Sequence, residues 1–484
     1  MSEAQIDATQ PWTMTNAPIK IRRISRNKFE VLAGMTRRPE MMFLVDELEH
    51  YSDEPENYLG VVLTDHVDHD FSALALARDE FGKYCCFNIT TSYKTIEEAR
   101  SWLERVMKWE SGSGKTIQEQ GHDSQPTLDI FKPIVPREKQ HIYFQRLHSN
   151  PAFIGARKVI SEMMPHFVDI DGNFVQQFQS DGFDSRLWEL YIFAVLKESG
   201  FNIDRSFHAP DFVGSCFGID LAVEAVIVGR KAGVNPSALQ AVPELPAPED
   251  TWTRLKDEMP IRFGSPLFSK LQKKYWDLGH VKGKPLAIAI ADFHDDQSMI
   301  WSHSALYPYL YGIRYEVEKG KDGNLIKKTI KLDSHSHDGK TIPSGFFLQP
   351  ESENISAVIT SASGTVSKFN RMARQAGYGS PAIKMIRIGY CFNQDPDALL
   401  PNIFEYEVNE SCDELWSTGL NVFHNPKAKV PLDPKTFPYA GHFFLRGEAV
   451  VSLLPPFHPF SSWTIDLIPK GMDLGQGGAK IITP

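Results

Sequence analysis

The chain of 484 residues carries 51 Lys and Arg against 61 Asp and Glu, a formal charge of −10, with 42% apolar and 23% charged residues. This is ordinary globular usage with enough apolar residues for a substantial core; it sets aside collagen, coiled coil and wholesale disorder, and argues against a surface coated in positive charge for nonspecific nucleic-acid binding. No unbroken apolar segment opens the chain and no membrane-length apolar run occurs, so neither signal peptide nor membrane span is expected, and the cytoplasm is the expected compartment.

At about 150 residues per domain the length suggests roughly three domains. Residues 58–64, 71–77 and 83–89 read as strands, the last two joined by a hairpin-like turn at 78–82. Thr95, three residues before Glu98, forms a capping box that opens a helix to about Trp109. These elements make a small α+β module, residues 1–109. The polar, Gly/Ser/Gln-rich stretch 110–127 reads as a linker or exposed loop. A core over 128–300 with a preceding helical region and a β-rich region over 301–484 follow. Five cysteines, Cys85, Cys86, Cys216, Cys391 and Cys412, lack the paired spacing of structural zinc and read as reduced core residues.

Within 128–300, Asp184 and Ser185 offer N-caps for a helix ending at Gly200. Strands are expected at 212–213 and 219–228. Ser265 and Pro266 read as cap and first residue of a helix over 267–278. The apolar run 285–293 has the character of a buried central strand. Beyond it, a hairpin over 313–332 turns at 321–324, and a strand covers 355–360.

Several motifs suggest chemistry and are outweighed. Gly114-Lys115-Thr116 lacks the upstream glycine of a phosphate-binding loop, Trp109 standing in its place. The Asp/His clusters at 65–70 and 333–338 read as solvated loops rather than metal sites, because clustered ligands in a turn serve the turn first.

Residues 184–231 are more informative. The helix is apolar nearly all round, with Glu189 in its midst; a buried carboxylate needs a partner, either an arginine such as Arg186 or Arg205, or a metal. Then come Pro210-Asp211-Phe212, a Gly-bounded turn at 214–218, and a strand on which Ala222, Glu224 and Val226 share one face. A hairpin centred between Phe217 and Gly218 places Asp211 directly opposite Glu224, with Cβ atoms about 4.5–5.5 Å apart. Two acids so close repel unless a cation sits between them or one is protonated. Mg2+ takes one or two carboxylates in this way, and Glu189 offers a third.

This constellation resembles the PD-(D/E)xK, or restriction-endonuclease-like, nucleases, over about residues 184–296. The resemblance rests on Glu189, Pro210-Asp211 and Glu224-Ala225-Val226 in that order, followed by a helix and a central strand. It implies an α/β fold: a restriction-endonuclease-like mixed sheet flanked by the small N-terminal α+β module and the β-rich C-terminal region. It also implies Mg2+ or Mn2+ held by Asp211, Glu224 and the Ala225 carbonyl, with Glu189 at a second metal or its water. The activity implied is phosphodiester hydrolysis by an endonuclease of bacterial restriction or anti-phage type, on DNA in preference to RNA, as a homo-oligomer or with a defence-system partner. The family lysine belongs at 226, where this chain has Val226. Some members carry it on the following helix, which makes Lys270, Lys273 and Lys274 the candidates. Lys270, flanking the stripe Leu267, Leu271, Tyr275 and Leu278, is the expected one. Lys319, Lys321, Lys327, Lys328 and Lys331 of the 313–332 hairpin would offer the nucleic acid a basic surface. The missing lysine leaves a second expectation: a catalytically decayed nuclease core that binds nucleic acid or is structural.

Overall fold

The computed structural model describes residues 20–119, 127–231, 248–319, 325–395, 398 and 400–469. The chain divides into two compact units, Met1–Thr127 and Leu128–Pro484.

In the first unit five strands, β1 (Ile21–Ile24), β2 (Val45–Asp53), β3 (Tyr58–Asp65), β4 (Phe71–Arg78) and β5 (Tyr84–Tyr93), form an antiparallel meander. The helix Ile96–Gly112 opens on the expected capping box: the Glu98 amide donates to Thr95 Oγ1, and the Thr95 amide to Glu98 Oε2. Ala99, Leu103 and Met107, four residues apart on one helix face, pack on Tyr58, Val62, Ala73, Ala75 and Ala77. A side chain at Gly60 would lie 2.8 Å from the Leu103 methyls, so glycine there sets how closely the helix seats. Residues 110–119 are part of this unit, since the helix runs to Gly112 and the Gln118 amide donates to the Arg78 carbonyl at 2.8 Å. The rest of the expected linker, 120–126, lies outside the described residues.

The second unit holds β6 (Asn202–Asp204), β7 (Phe212–Cys216), β8 (Ile219–Val228), β9 (Leu286–Asp292), a hairpin of β10 (Ile313–Lys319) and β11 (Leu325–Lys331), and a smaller one of β12 (Ser334–His337) and β13 (Lys340–Pro343). Then come β14 (Ala357–Ser361), β15 (Lys384–Cys391), β16 (Asn402–Glu407), β17 (Leu420–His424), β18 (Gly441–Arg446), β19 (Ala449–Leu453) and β20 (Pro459–Leu467). Among the described residues, eight strands form one mixed sheet in the order β19-β18-β17-β14-β9-β8-β7-β6. β6, β7 and β8 are an antiparallel meander, and β8, β9 and β14 run parallel. The sheet takes strands from both sides of residue 300, so the expected division there cuts across one hydrogen-bonded structure.

β9 is buried at every position, as its continuous apolar run predicts. Its Ile288 and Ile290 join Phe263, Leu267 and Leu271 of the helix Met259–Leu271 in one apolar cluster. By the two-residue period Ala287, Ala289 and Ala291 face the other way. On that side lies the apolar helix Phe183–Glu198, whose Trp188 donates its indole N–H to the Ala289 carbonyl at 3.0 Å.

Several boundaries differ from expectation. The helix expected over 267–278 begins at Met259 and ends at Leu271, because a helical run from Pro248 through a π turn at Arg254–Glu258 feeds into it and Pro266 sits inside it rather than at its start. Lys274 is left-handed (φ 52°), and a 3-10 turn, Tyr275–Asp277, follows. Gly182, not Asp184 or Ser185, precedes the helix Phe183–Glu198. The cluster at 333–338 is largely strand β12 rather than loop. The turn of the β10–β11 hairpin lies outside the described residues. Of the cysteines only Cys391 is buried, and Cys86 is exposed.

A buried ionic centre ties the helix Val366–Gln375 to the three-stranded sheet β16-β15-β20. Glu414 receives Lys368 Nζ at 2.6 Å, Arg371 Nε at 2.8 Å and Arg387 Nη1 at 3.2 Å, and none of the four side chains is more than 4% exposed. The three cations hold the Glu414 carboxyl well below the usual carboxylate range against its burial. Among the described residues no helix is long and apolar enough to cross a membrane.

Candidate active site

The β7–β8 hairpin pairs Phe212 with Val223, the register that sets Asp211, one step further out, opposite Glu224. Each acid then reaches the other strand's backbone. The Asp211 amide donates to Glu224 Oε2 at 3.2 Å, and the Ala225 amide donates to Asp211 Oδ2 at 2.7 Å. A strand residue turns its N–H and C=O to the same edge, so the Ala225 carbonyl opens on the side where Asp211 lies.

Glu224 is 5% exposed in the middle of β8. Its Oε1 accepts from Lys270 Nζ at 2.5 Å and from the Tyr275 hydroxyl at 2.8 Å. Lys270 stands in the last turn of the helix Met259–Leu271, and Tyr275 in the 3-10 turn after it. The structure thus gathers Asp211, Glu224 and Lys270. Lys273 lies beyond the helix end, exposed, and Lys274 pairs with Glu351 at 2.6 Å. Val226, in the family lysine's place, packs against the apolar cluster.

Burial raises the Asp211 carboxyl to about 8, with the charges of Glu224 and then Glu189 adding to the shift; the Ala225 amide and Lys270 oppose it. The Tyr275 phenol is likewise pushed up, by burial first and then by Glu224.

Glu189 stands behind this group. Arg186 Nη1 donates to its Oε2 at 2.6 Å and Arg205 Nη2 to its Oε1 at 3.3 Å. Arg205 also donates to the carbonyls of Asp211 and Val168. Glu189 therefore supports Asp211 through Arg205, its carboxylate engaged by two guanidinium groups.

Among the described residues no group of three or more His, Cys, Asp or Glu side chains is arranged to hold a metal. Two carboxylates and a backbone carbonyl nevertheless match the donors of a hard divalent cation that completes its shell with water and phosphate. Asp211 Oδ1 has no hydrogen bond among the described residues, and the pKa of Asp211, raised by burial and then by the charges of Glu224 and Glu189, marks a carboxyl whose charged form a cation would favour. Asp211, Glu224 and the Ala225 carbonyl fit such an ion; Glu189, held by its arginines, does not join them.

The other clusters have structural partners of their own. Asp65 Oδ1 accepts from the Val67 amide and Asp68 Oδ1 from the Asp70 amide, and Asp70 pairs with Lys94. His335 is buried between the Lys256 carbonyl and the Ser344 hydroxyl. Tyr275 was missed as part of the site: it reads as one more member of an apolar stripe, and the destination of its hydroxyl has no signal in sequence. No family model, curated protein or solved structure matches the chain.

Proposed function

We propose that the protein is a metal-dependent nuclease with a restriction-endonuclease-like core, hydrolysing phosphodiester bonds as a cytoplasmic endonuclease of restriction or anti-phage type, on DNA in preference to RNA. The observation that carries this reading is the convergence of Asp211, Glu224 and Lys270 from two strands and a helix. The order of elements supports it as well: a helix with Glu189, the meander β6-β7-β8, a helix, then β9 parallel to β8.

In this reading Asp211, Glu224 and the Ala225 carbonyl hold one Mg2+ or Mn2+. The ion, when bound, lowers the pKa of its water and offsets charge on the phosphoryl oxygens. Lys270 takes the part of the lysine absent at 226: its ammonium fixes Glu224 and provides a donor for the attacking water and a nonbridging phosphate oxygen. Tyr275 holds the same Glu224 oxygen and so fixes the rotamer that faces Asp211. Arg205, anchored by Glu189, fixes the Asp211 backbone.

The second reading, a decayed core that binds nucleic acid without cutting it, is favoured by Val226 alone. Incubating the purified chain with supercoiled plasmid and with RNA, with and without Mg2+ or Mn2+, separates the two. Metal-dependent cleavage abolished in Asp211→Asn supports the nuclease. Binding without cleavage under any metal favours the decayed core.

A further inference from the structure

We infer that the segment from Lys270 to Lys284 is the surface that grips the polynucleotide backbone beside the scissile phosphate, with Lys273, Lys282 and Lys284 as its phosphate contacts. This rests on the nuclease reading and replaces the β10–β11 hairpin as the basic surface.

Three observations carry it. First, the segment is fastened to Glu224 and to the loop that precedes Asp211. Lys270 and Tyr275 donate to Glu224, and His280 Nε2 lies 2.7 Å from the Ala209 carbonyl, two residues before Asp211. The His280 ring stacks on Phe207 with centroids 3.8 Å apart, which fixes the segment against the β6–β7 loop that leads to Asp211.

Second, three of its lysines make no ion pair among the described residues. Val281 is wholly buried and anchors the loop, the Lys282 amide bonds to the Leu278 carbonyl and the Lys284 amide to Val281, and Gly283 turns the chain with φ at 80°. Lys273 and Lys282 are exposed and Lys284 half-buried, and among the described residues none of the three makes an ion pair. The nearby acids are Asp277, Glu351, Asp204 and, by the register of β8 on β9, Asp220 beside Lys284. Asp277 lies within the segment, Glu351 is taken by Lys274, and Asp204, which senses His280 and Lys284, accepts from the Ser206 amide and hydroxyl. In a chain with ten excess negative charges these lysines follow directly on the helix end that brings Lys270 to Glu224.

Third, two lysines of the rival hairpin are paired with acids, which leaves Lys319, exposed and without an ion pair, as its one unpaired lysine among the described side chains. Lys328 lies 3.3 Å from Glu318 and Lys331 2.9 Å from Glu448. Lys321 and the Lys327 side chain lie outside the described residues.

Each lysine that neutralises a phosphate on duplex DNA contributes about 0.9 to the slope of log affinity against log salt. The test is fluorescence anisotropy of a short labelled DNA duplex and of its RNA counterpart, in Ca2+ to suppress cleavage, from about 50 to about 200 mM KCl. The full-length triple variant Lys273→Ala/Lys282→Ala/Lys284→Ala should bind at least about tenfold more weakly than wild type and lose about two to three from the slope, with an unchanged melting temperature. Lys328→Ala/Lys331→Ala should bind as wild type does. Loss confined to the RNA arm would also support the surface and name the polymer. A triple variant that binds and cuts like wild type overturns this inference while leaving the nuclease standing. A wild type that neither binds nor cuts either polymer removes both.

Discussion

Lys270 Nζ lies 2.5 Å from Glu224 Oε1, although 46 positions separate the two residues in the chain. The ammonium comes from the end of a helix packed across β8, so it reaches the carboxylate from above the sheet, whereas a lysine at 226 would have reached it along the strand. Because the apolar cluster fixes both helix and strand, this separation is a property of the core and not of a loop.

Replacing Lys270 by Ala should lower metal-dependent cleavage by about 10²-fold or more, the usual scale for a positioned acid–base or charge-stabilising group. Lys273→Ala should leave the turnover rate at saturating substrate nearly unchanged and act on affinity. Single-turnover kinetics with both variants, alongside metal-induced shifts in melting temperature, checks this.

Asp211→Asn and Glu224→Gln should each abolish cleavage, and Asp211→Asn should also change how stability depends on pH. The folded-state pKa of Asp211, about 8, lies above the unfolded value of about 3.9. Between those values the folded chain binds a proton that the unfolded chain has released, so stability falls as pH rises. From pH 6.5 to 8 the loss should be roughly 1–2 kcal/mol. Asp184 and Asp466, raised to about 6 by burial, have largely finished titrating by then. Urea denaturation across this range should show the slope in wild type, its disappearance in Asp211→Asn, and its suppression in wild type by Mg2+.

Val226→Lys should not repair the site. Val226 packs on the apolar cluster beside Glu224, so a lysine there strands its stem in the core and sets a second ammonium against Lys270. The expected result is lower activity and a lower melting temperature. A large gain in cleavage would mean that Lys270 does not fill the family lysine's place.

The Glu414 centre should be far more sensitive than any surface pair. Glu414→Gln leaves Lys368, Arg371 and Arg387 without their shared counter-charge in a fully buried place and should cost about 3–5 kcal/mol. Lys274→Ala, which breaks a solvent-exposed pair with Glu351, should cost under about 1 kcal/mol. Equilibrium unfolding of the two variants compares them directly.

What could be read from sequence was what local rules govern. The hairpin register followed from the Gly-bounded turn at 214–218, because a one-residue slip would have turned Glu224 away from its face. The capping box at Thr95 and the strand at β9 followed from side-chain chemistry and continuous apolarity. The helix before β9 was misplaced because Ser265-Pro266 has the chemistry of a helix start, yet the turns upstream were already helical and only one backbone donor is missing at Pro266. The arginines on Glu189 could be offered as candidates and not chosen, since Arg205 arrives from beyond the helix. The cations around Glu414 come from two separate segments, the helix Val366–Gln375 and β15, and nothing local announces their meeting with Glu414.

The continuity of the eight-stranded sheet past residue 300 bears on how this protein can be dissected. A fragment ending there would retain Asp211, Glu224 and Lys270 yet lose β14, the parallel neighbour of β9. Leu286–Asp292, buried at every position, would then present a bare apolar edge with unpaired amides and carbonyls, a template for intermolecular strand addition. Such a piece is expected to precipitate, so a fragment made to test the two acids must keep the strands beyond residue 300 that close the edge of β9.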